Sequence, residues 1–266
     1  MLRLSANISL MYGELPFLDR VGAAAADGFT AVEVMYPYAT PAADLADALA
    51  AHTMTLSVLN APAGCRDAGE LGFAALVERH ADFQASIARA IDYALTTSCK
   101  SIHVLTGNLP PAISLDEVRP VLLTNLRQAA QAMASQGLTL LLEPLSRAVF
   151  PAYSLTRVEQ AVALLDELDM SNAALQLDFY HTQMEQGHLA NLIERHFERI
   201  AYVQIAGVPG RHQPTIGEIN YHYLLTELER RSFAGWVGCE YIPQGATGDS
   251  LAWARQWGYL PRRDGG

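Results

Sequence analysis

The sequence predicts an α/β fold, a single (β/α)8 barrel of the TIM type, and three observations predict it. Short apolar segments alternate along the chain with stretches of helical period, the pattern of a parallel sheet with crossover helices. The segments number eight: 2–9, 31–36, 55–60, 101–106, 139–145, 173–179, 201–206 and 236–241. The chain has 266 residues, half of them hydrophobic, with no Pro/Gly-rich linker to divide it, and one such barrel closes at about 250 residues. A doubly wound open sheet is the competing arrangement, but nothing here resembles GxGxxG or a phosphate loop. The barrel is expected over residues 1–260, with 261–266 as a loose tail.

The intervening stretches justify the helices in turn. Phe17, Val21 and Ala24-Ala25 hold helical spacing up to a stop at Asp27-Gly28. Pro41 and Asp44 open a second helix carrying Leu45, Leu49 and His52. The third is expected to be long, 71–97. Further helices are expected at 115–136, 156–168, 189–195, 221–231 and 250–257.

Composition removes several function classes. Net charge is −10, and the longest basic runs are the doublets Arg230-Arg231 and Arg262-Arg263. A nucleic-acid binder needs a basic face to neutralise phosphate, so no nucleic-acid partner is expected. No run approaches the roughly 20 apolar residues of a membrane span, and the N-terminus lacks a cleavable signal pattern. Cys65, Cys99 and Cys239 form no CxxC motif, which fits a reduced, cytoplasmic setting. Lys100 is the one lysine, and it precedes the fourth strand, at the barrel end opposite the expected active face. Schiff-base chemistry is therefore not expected.

Alternate strand residues point to opposite faces, so parity separates helix-facing from interior positions. Leu175 and Leu177 oppose Gln176 and Asp178. Val203 and Ile205 oppose Tyr202 and Gln204. Leu140 and Leu142 oppose Leu141 and Glu143, Val237 and Cys239 oppose Gly238 and Glu240, and Val32 and Val34 oppose Glu33. Ser5 and Asn7 share the interior side of strand one. Asn60 breaks the pattern, because it has the parity of Leu56 and Val58. Glu33, Glu143, Asp178 and Glu240 thus converge near the C-terminal end of the strands, where this fold carries its active site.

Converging carboxylates stay ionised only when something offsets them. No Arg lies within these strands, so a divalent cation is the economical counter-charge. Glu143, Asp178, Gln204 and Glu240 would give it an all-oxygen shell, which favours Mg²⁺ or Mn²⁺ over zinc. His103 and His181 are candidate substrate contacts, as are Asn7 and Asn60 near the strand ends.

These residues also carry a family likeness. SANISLMYGELPFLDR, GFTAVEVMYPY, LLLEPLS around Glu143, QLDFYHTQ around Asp178, YVQIAGVPGRHQP around Gln204, GEINY at 217–221 and GWVGCEYIPQG around Glu240 fall in order along one barrel. Residues 2–257 resemble the hydroxypyruvate isomerases and the similar 2-oxo-tetronate isomerases of the xylose-isomerase-like superfamily. The likeness implies that Glu143 and Glu240 are the proton donor/acceptor pair and that Glu143, Asp178, Gln204 and Glu240 hold the metal. It adds Arg211 and His212 as substrate-binding candidates. The family commonly has a lysine where this chain has Ile242, and a Gly-Asp where it has Gly64-Cys65. Arg66, Arg79, Arg147 and Arg211 are the candidates to replace the missing lysine.

The implied reaction is the interconversion of hydroxypyruvate and tartronate semialdehyde through an enediolate, with 2-oxo-tetronate as the alternative substrate. Ketose 3-epimerases usually carry His at the place of Gln204. Endonucleases of the superfamily need more zinc ligands and a basic face, and a non-catalytic sugar-acid-binding barrel has no need of two opposed glutamates. The expected partner is a small sugar acid, with no membrane partner; a homo-oligomer is compatible with the sequence.

Overall fold

The computed structural model describes residues 1–262. Eight parallel strands close in chain order: β1 (Arg3–Asn7), β2 (Ala31–Val34), β3 (Thr55–Asn60), β4 (Ser101–His103), β5 (Thr139–Leu142), β6 (Ala173–Asp178), β7 (Ile200–Ile205) and β8 (Trp236–Cys239). The barrel is sealed by β1 against β8, with Leu4 opposite Val237 and Ala6 opposite Cys239. The helices are α1 (Asp19–Ala26), α2 (Ala42–Ala51), α3 (His80–Thr96), α4 (Leu115–Ala134), α5 (Val158–Leu168), α6 (Phe179–Glu185), α7 (Leu189–His196), α8 (Tyr221–Arg230), α9 (Thr247–Ser250) and α10 (Ala252–Gln256). No helix among the described residues is long and apolar enough to cross a membrane. Of the expected tail, 263–266 lie outside the described residues.

Local chemistry explains the best-defined helix. Ser114 caps α4 by accepting from the Glu117 amide, while the Glu117 side chain accepts from the Ser114 amide at 2.8 Å. Val118, Leu122, Leu126, Ala129 and Met133 then form its buried stripe. Such side chains join the helix-facing strand residues in one large apolar layer around the barrel. Full burial of each Leu is worth about 1.5–3 kcal/mol.

One helical expectation is corrected, and one helix is added. The run 71–79 is not α-helical: Gly72 has φ +95°, and the segment pairs back on the loops after β3 and β4, through Gly72 N–H to Ala63 O and Ala75 N–H to Thr106 O, before a 3-10 turn at Val77–Arg79. Leu71 reaches the cavity at the barrel mouth, and the α-helix starts at His80. The short helix α6, absent from the sequence reading, begins directly at the end of β6. Asp178 is its cap, accepting from the amides of Tyr180 and His181.

The barrel interior is layered. Val58, Leu141 and Tyr202 form a separate apolar plug. Ser5 and Ser57 are 2.7 Å apart, and Ser57 is 2.8 Å from the Tyr202 hydroxyl. Above lie Asn7, Glu33, Gln176 and Gln204, all buried. The odd parity of Asn60 has a physical cause. Val32 pairs with Leu56 but Val34 with Leu59, so β3 bulges by one residue and its alternation reverses beyond the bulge.

Candidate active site

The ends of the strands deliver the site. Glu143 follows β5, Asp178 ends β6, Gln204 lies on β7 and Glu240 follows β8; all four are at most 5 % exposed. A cavity of about 200 Å³ opens above them. Glu143, Glu240, His103, His181, Asn60 and Arg211 supply its polar lining. Leu10, Met35, Leu71, Leu105, Leu145, Phe150 and Ile242 supply most of the remaining wall.

The carboxylates do have a protein counter-charge. No strand carries it, but Arg211, from the loop after β7, reaches back into the mouth. Its Nη2 lies 3.0 Å from Glu240 Oε1 and 3.7 Å from Asp178 Oδ2, and its Nη1 is 3.3 Å from His181 Nε2. The guanidinium also sits over the Tyr180 ring at 4.9 Å. A divalent cation is thus not the sole possible counter-charge, since Arg211 already stands beside the carboxylates. Strand parity says nothing about loops, so it did not set Arg211, already a substrate-binding candidate, against Glu240 and Asp178.

Burial and mutual repulsion set the protonation states. Burial pushes Glu143 well above the usual carboxylate range; Asp178 and Glu240 push it further, against the pull of Arg211. Burial raises Glu240 to about 8, with Arg211 opposing and Asp178 adding to the rise. Burial also raises Asp178, although Arg211 and the α6 amides favour its charge. The imidazoles move the other way. Burial takes His103 down to about 3, and burial with the charge of Arg211 holds His181 well below its ordinary value. Both rings are neutral at physiological pH.

The hydrogen bonds assign tautomers and free atoms. His103 Nδ1 lies 3.3 Å from Glu143 Oε2 and 3.3 Å from Asn60 Oδ1, two acceptors, so Nδ1 carries the proton. His103 Nε2 has no hydrogen-bond partner. Asp178 uses Oδ1 for the α6 amides, while Oδ2 is buried without a hydrogen bond. One ligand atom each from Glu143, Asp178 and His181 fall within 4.8 Å of one another. Two carboxylates and an imidazole, with one buried oxygen lacking a hydrogen bond, fit a divalent cation. The inclusion of His181 departs from the all-oxygen shell expected from the sequence.

The remaining candidates divide. Gln204 sits beneath the cavity, between Glu33 and Gln176. Asn7 also lies below, donating to Glu33 at 2.8 Å. Asn60 and His103 line the cavity, whereas His212 does not; its Nδ1 pairs with the Ile242 carbonyl at 2.9 Å. Arg79 is paired with Glu70 and Asp82, and Arg147 with Glu185. Arg66 opens a short 3-10 turn after β3. Lys100 immediately precedes β4, at the opposite end of the barrel. Sequence reasoning missed Gln176 as a functional group, although its inward parity was visible. It also missed Phe150, whose ring lies 5.7 Å from that of His181.

A closed barrel with buried carboxylates at its C-terminal mouth defines a class, and sequence comparison agrees: residues 21–257 match the xylose isomerase-like TIM barrel family, to which this chain belongs. It is 42% identical to the 2-oxo-tetronate isomerase of Cupriavidus necator over 96% of this chain and 98% of that protein. It is 39% identical to the hydroxypyruvate isomerase of Escherichia coli over 95% and 98% of the two chains. A crystal structure titled AP endonuclease, family 2, from Brucella melitensis superposes with a TM-score of 0.93 at 39% identity, covering 97% and 99%. With such relatives over nearly the whole length, the protein is an isomerase.

Proposed function

We propose that this isomerase interconverts hydroxypyruvate and tartronate semialdehyde with a divalent cation, Mg²⁺ or Mn²⁺. The observation that carries the reading is the pair Glu143 and Glu240: both are buried, both line one small cavity, and both are raised in pKa. An aldose–ketose exchange needs one group that accepts a carbon-bound proton and one that returns it to the neighbouring carbon. Repelling carboxylates in a dry site favour a shared proton, one glutamate ionised and the other not.

In hydroxypyruvate the hydroxyl is on C3 and the carbonyl on C2. The ionised glutamate takes a proton from C3 and leaves a planar enediolate. The protonated glutamate delivers to C2, while the hydroxyl proton moves from the C3 oxygen to the C2 oxygen. His103 suits that last transfer, because its Nδ1–H is committed to Asn60 Oδ1, beside Glu143, and its Nε2 is a free acceptor. Arg211 supplies positive charge for the substrate carboxylate. A cation held by Glu143, Asp178 and His181, with Gln204 and Glu240 adjoining, would polarise the carbonyl and offset charge developing on the two oxygens.

The wall supports the three-carbon acid. A longer substrate adds a hydroxyl-bearing carbon, and the surfaces of Leu10, Met35, Leu71, Leu105, Leu145 and Phe150 offer it apolar contact. One methylene is worth only about 1–3 kcal/mol of discrimination. The deciding experiment is kcat/KM for hydroxypyruvate and 2-oxo-tetronate, on chelated protein and on the same protein reloaded with Mn²⁺. Hydroxypyruvate is expected to be preferred, with activity only after reloading. A longer-acid preference above about tenfold reverses the substrate. Full turnover by verified metal-free protein removes the cation.

A further inference from the structure

Glu33 is an interior carboxylate that, like Asp178, does not line the cavity, and unlike Asp178 it has no direct part in the proposed reaction. It is 1 % exposed, yet three donors converge on it. Asn7 Nδ2 donates to Oε1 at 2.8 Å, Gln204 Nε2 donates to Oε1 at 3.0 Å, and the Tyr202 hydroxyl donates to Oε2 at 2.5 Å. Gly238 on β8 closes the remaining side, where a Cβ would lie 2.0 Å from Glu33 Oε2.

The same network continues upward. Gln204 Oε1 accepts from Gln176 Nε2 at 2.8 Å, and Gln176 Nε2 also donates to Glu143 Oε2 at 2.8 Å. The order is therefore Glu33, Gln204, Gln176, Glu143: two amides strung between two carboxylates. A carboxylate oxygen only accepts, so each end fixes which way its neighbouring amide turns. Glu143 draws the NH2 of Gln176, which then has a hydrogen to give the Gln204 oxygen. Glu33 draws the NH2 of Gln204. A carboxamide has one oxygen and one nitrogen, so anchoring the nitrogen at Glu33 commits the oxygen to the other side. That side is the Glu143 side, and Gln204 is the register partner of Asp178.

We infer that Glu33 is a positioning residue that turns Gln204 so that its carbonyl oxygen, and not its NH2, is offered to the cation. The inference rests on the proposed role of Gln204 as an adjoining ligand. An NH2 group has no lone pair for a cation, so a flipped Gln204 would present a repelling dipole in its place. The second lone pair of the correctly turned oxygen remains after the bond from Gln176. Groups that orient metal ligands typically contribute 10–100-fold to metal affinity.

Mn²⁺ affinity, measured by calorimetry and by the free-ion electron paramagnetic resonance signal, tests this without reference to turnover. Glu33→Met keeps the length of the side chain but offers Gln204 no acceptor, which releases the flip; Mn²⁺ affinity is expected to fall at least tenfold. Glu33→Gln removes the same charge but keeps an oxygen toward Asn7 and Gln204, with its NH2 turned to the Tyr202 oxygen. Its Mn²⁺ affinity is expected to stay within about threefold of wild type. Gln204→Ala tests the ligand itself. If it binds Mn²⁺ like wild type, Gln204 is no ligand and the inference falls with that reading. If it weakens binding while Glu33→Met does not, the ligand stands and the positioning role is overturned. Equal loss in Glu33→Met and Glu33→Gln also overturns it, since a purely electrostatic role predicts that result. Should Glu33→Met unfold, Glu33→Gln decides alone: a tenfold loss there overturns the inference.

Discussion

Arg211 Nη2 stands 3.0 Å from Glu240 Oε1, and the backbone secures the approach, because Ile242 N–H donates to Arg211 O at 2.7 Å. The loop after β7 is thereby stitched to the segment after β8. Ile242 is 48 % exposed at the cavity rim. The positive charge beside Glu240 comes from Arg211 on the loop after β7.

Replacing Arg211 by Met leaves Glu240 and Asp178 without their guanidinium. The expected result is a loss of at least about 10²-fold in kcat/KM, comparable to removing an electrostatic donor from a reaction site. Arg211→Lys should recover only part, since one ammonium cannot address Glu240 and His181 from separate nitrogens. Wild-type kinetics in Arg211→Met would remove the residue from the site.

Glu143→Gln and Glu240→Gln preserve shape and remove basicity. Each should lose about 10²–10⁴-fold in kcat at saturating Mn²⁺. Exchange of the substrate's carbon-bound hydrogen with solvent deuterium, followed by NMR, reports the proton relay directly. Near wild-type exchange in both variants would refute the assignment.

Stability of the metal-free protein should depend on pH in a defined window. Glu33 is raised by burial to about 7 and Glu240 by burial to about 8. A carboxyl group raised on folding keeps its proton in the native state after the unfolded chain has lost it. Stability therefore falls as pH rises through the folded values. His103 and His181 act oppositely, because they are lowered, but their contribution is complete above about 6.5. Between pH 6.5 and 8 the carboxyls govern, so the Tm of chelated protein should fall over that interval, and fall less in Glu240→Gln. A flat or rising Tm in wild type would contradict the assignment.

Gly238→Ala tests the packing around Glu33. The added Cβ meets the carboxylate at 2.0 Å, and moving that carboxylate disturbs its bonds to Asn7, Gln204 and Tyr202. A destabilisation of about 1–3 kcal/mol is expected in denaturant unfolding. An unchanged midpoint would mean that Glu33 is free to move.

The sequence by itself determined the barrel, because period and segment length are local properties: an apolar strand followed by an amphipathic helix announces itself eight times. It also determined which of Glu33, Glu143, Asp178, Gln204 and Glu240 turn inward, since parity is fixed within each short strand. Parity failed at Asn60, where the bulge in β3 depends on the neighbouring strand. The stretch 71–79 misled because its backbone turns at Gly72 and bonds to the loops after β3 and β4, long-range partners that local periodicity does not show. Only the tertiary structure decided which inward residues meet. It grouped Glu143 and Asp178 with His181, placed Gln204 between Glu33 and Gln176, and brought Arg211 in from a loop. Local sequence fixes the direction of a side chain, but the distance between residues on different strands and loops is set by closure of the whole barrel.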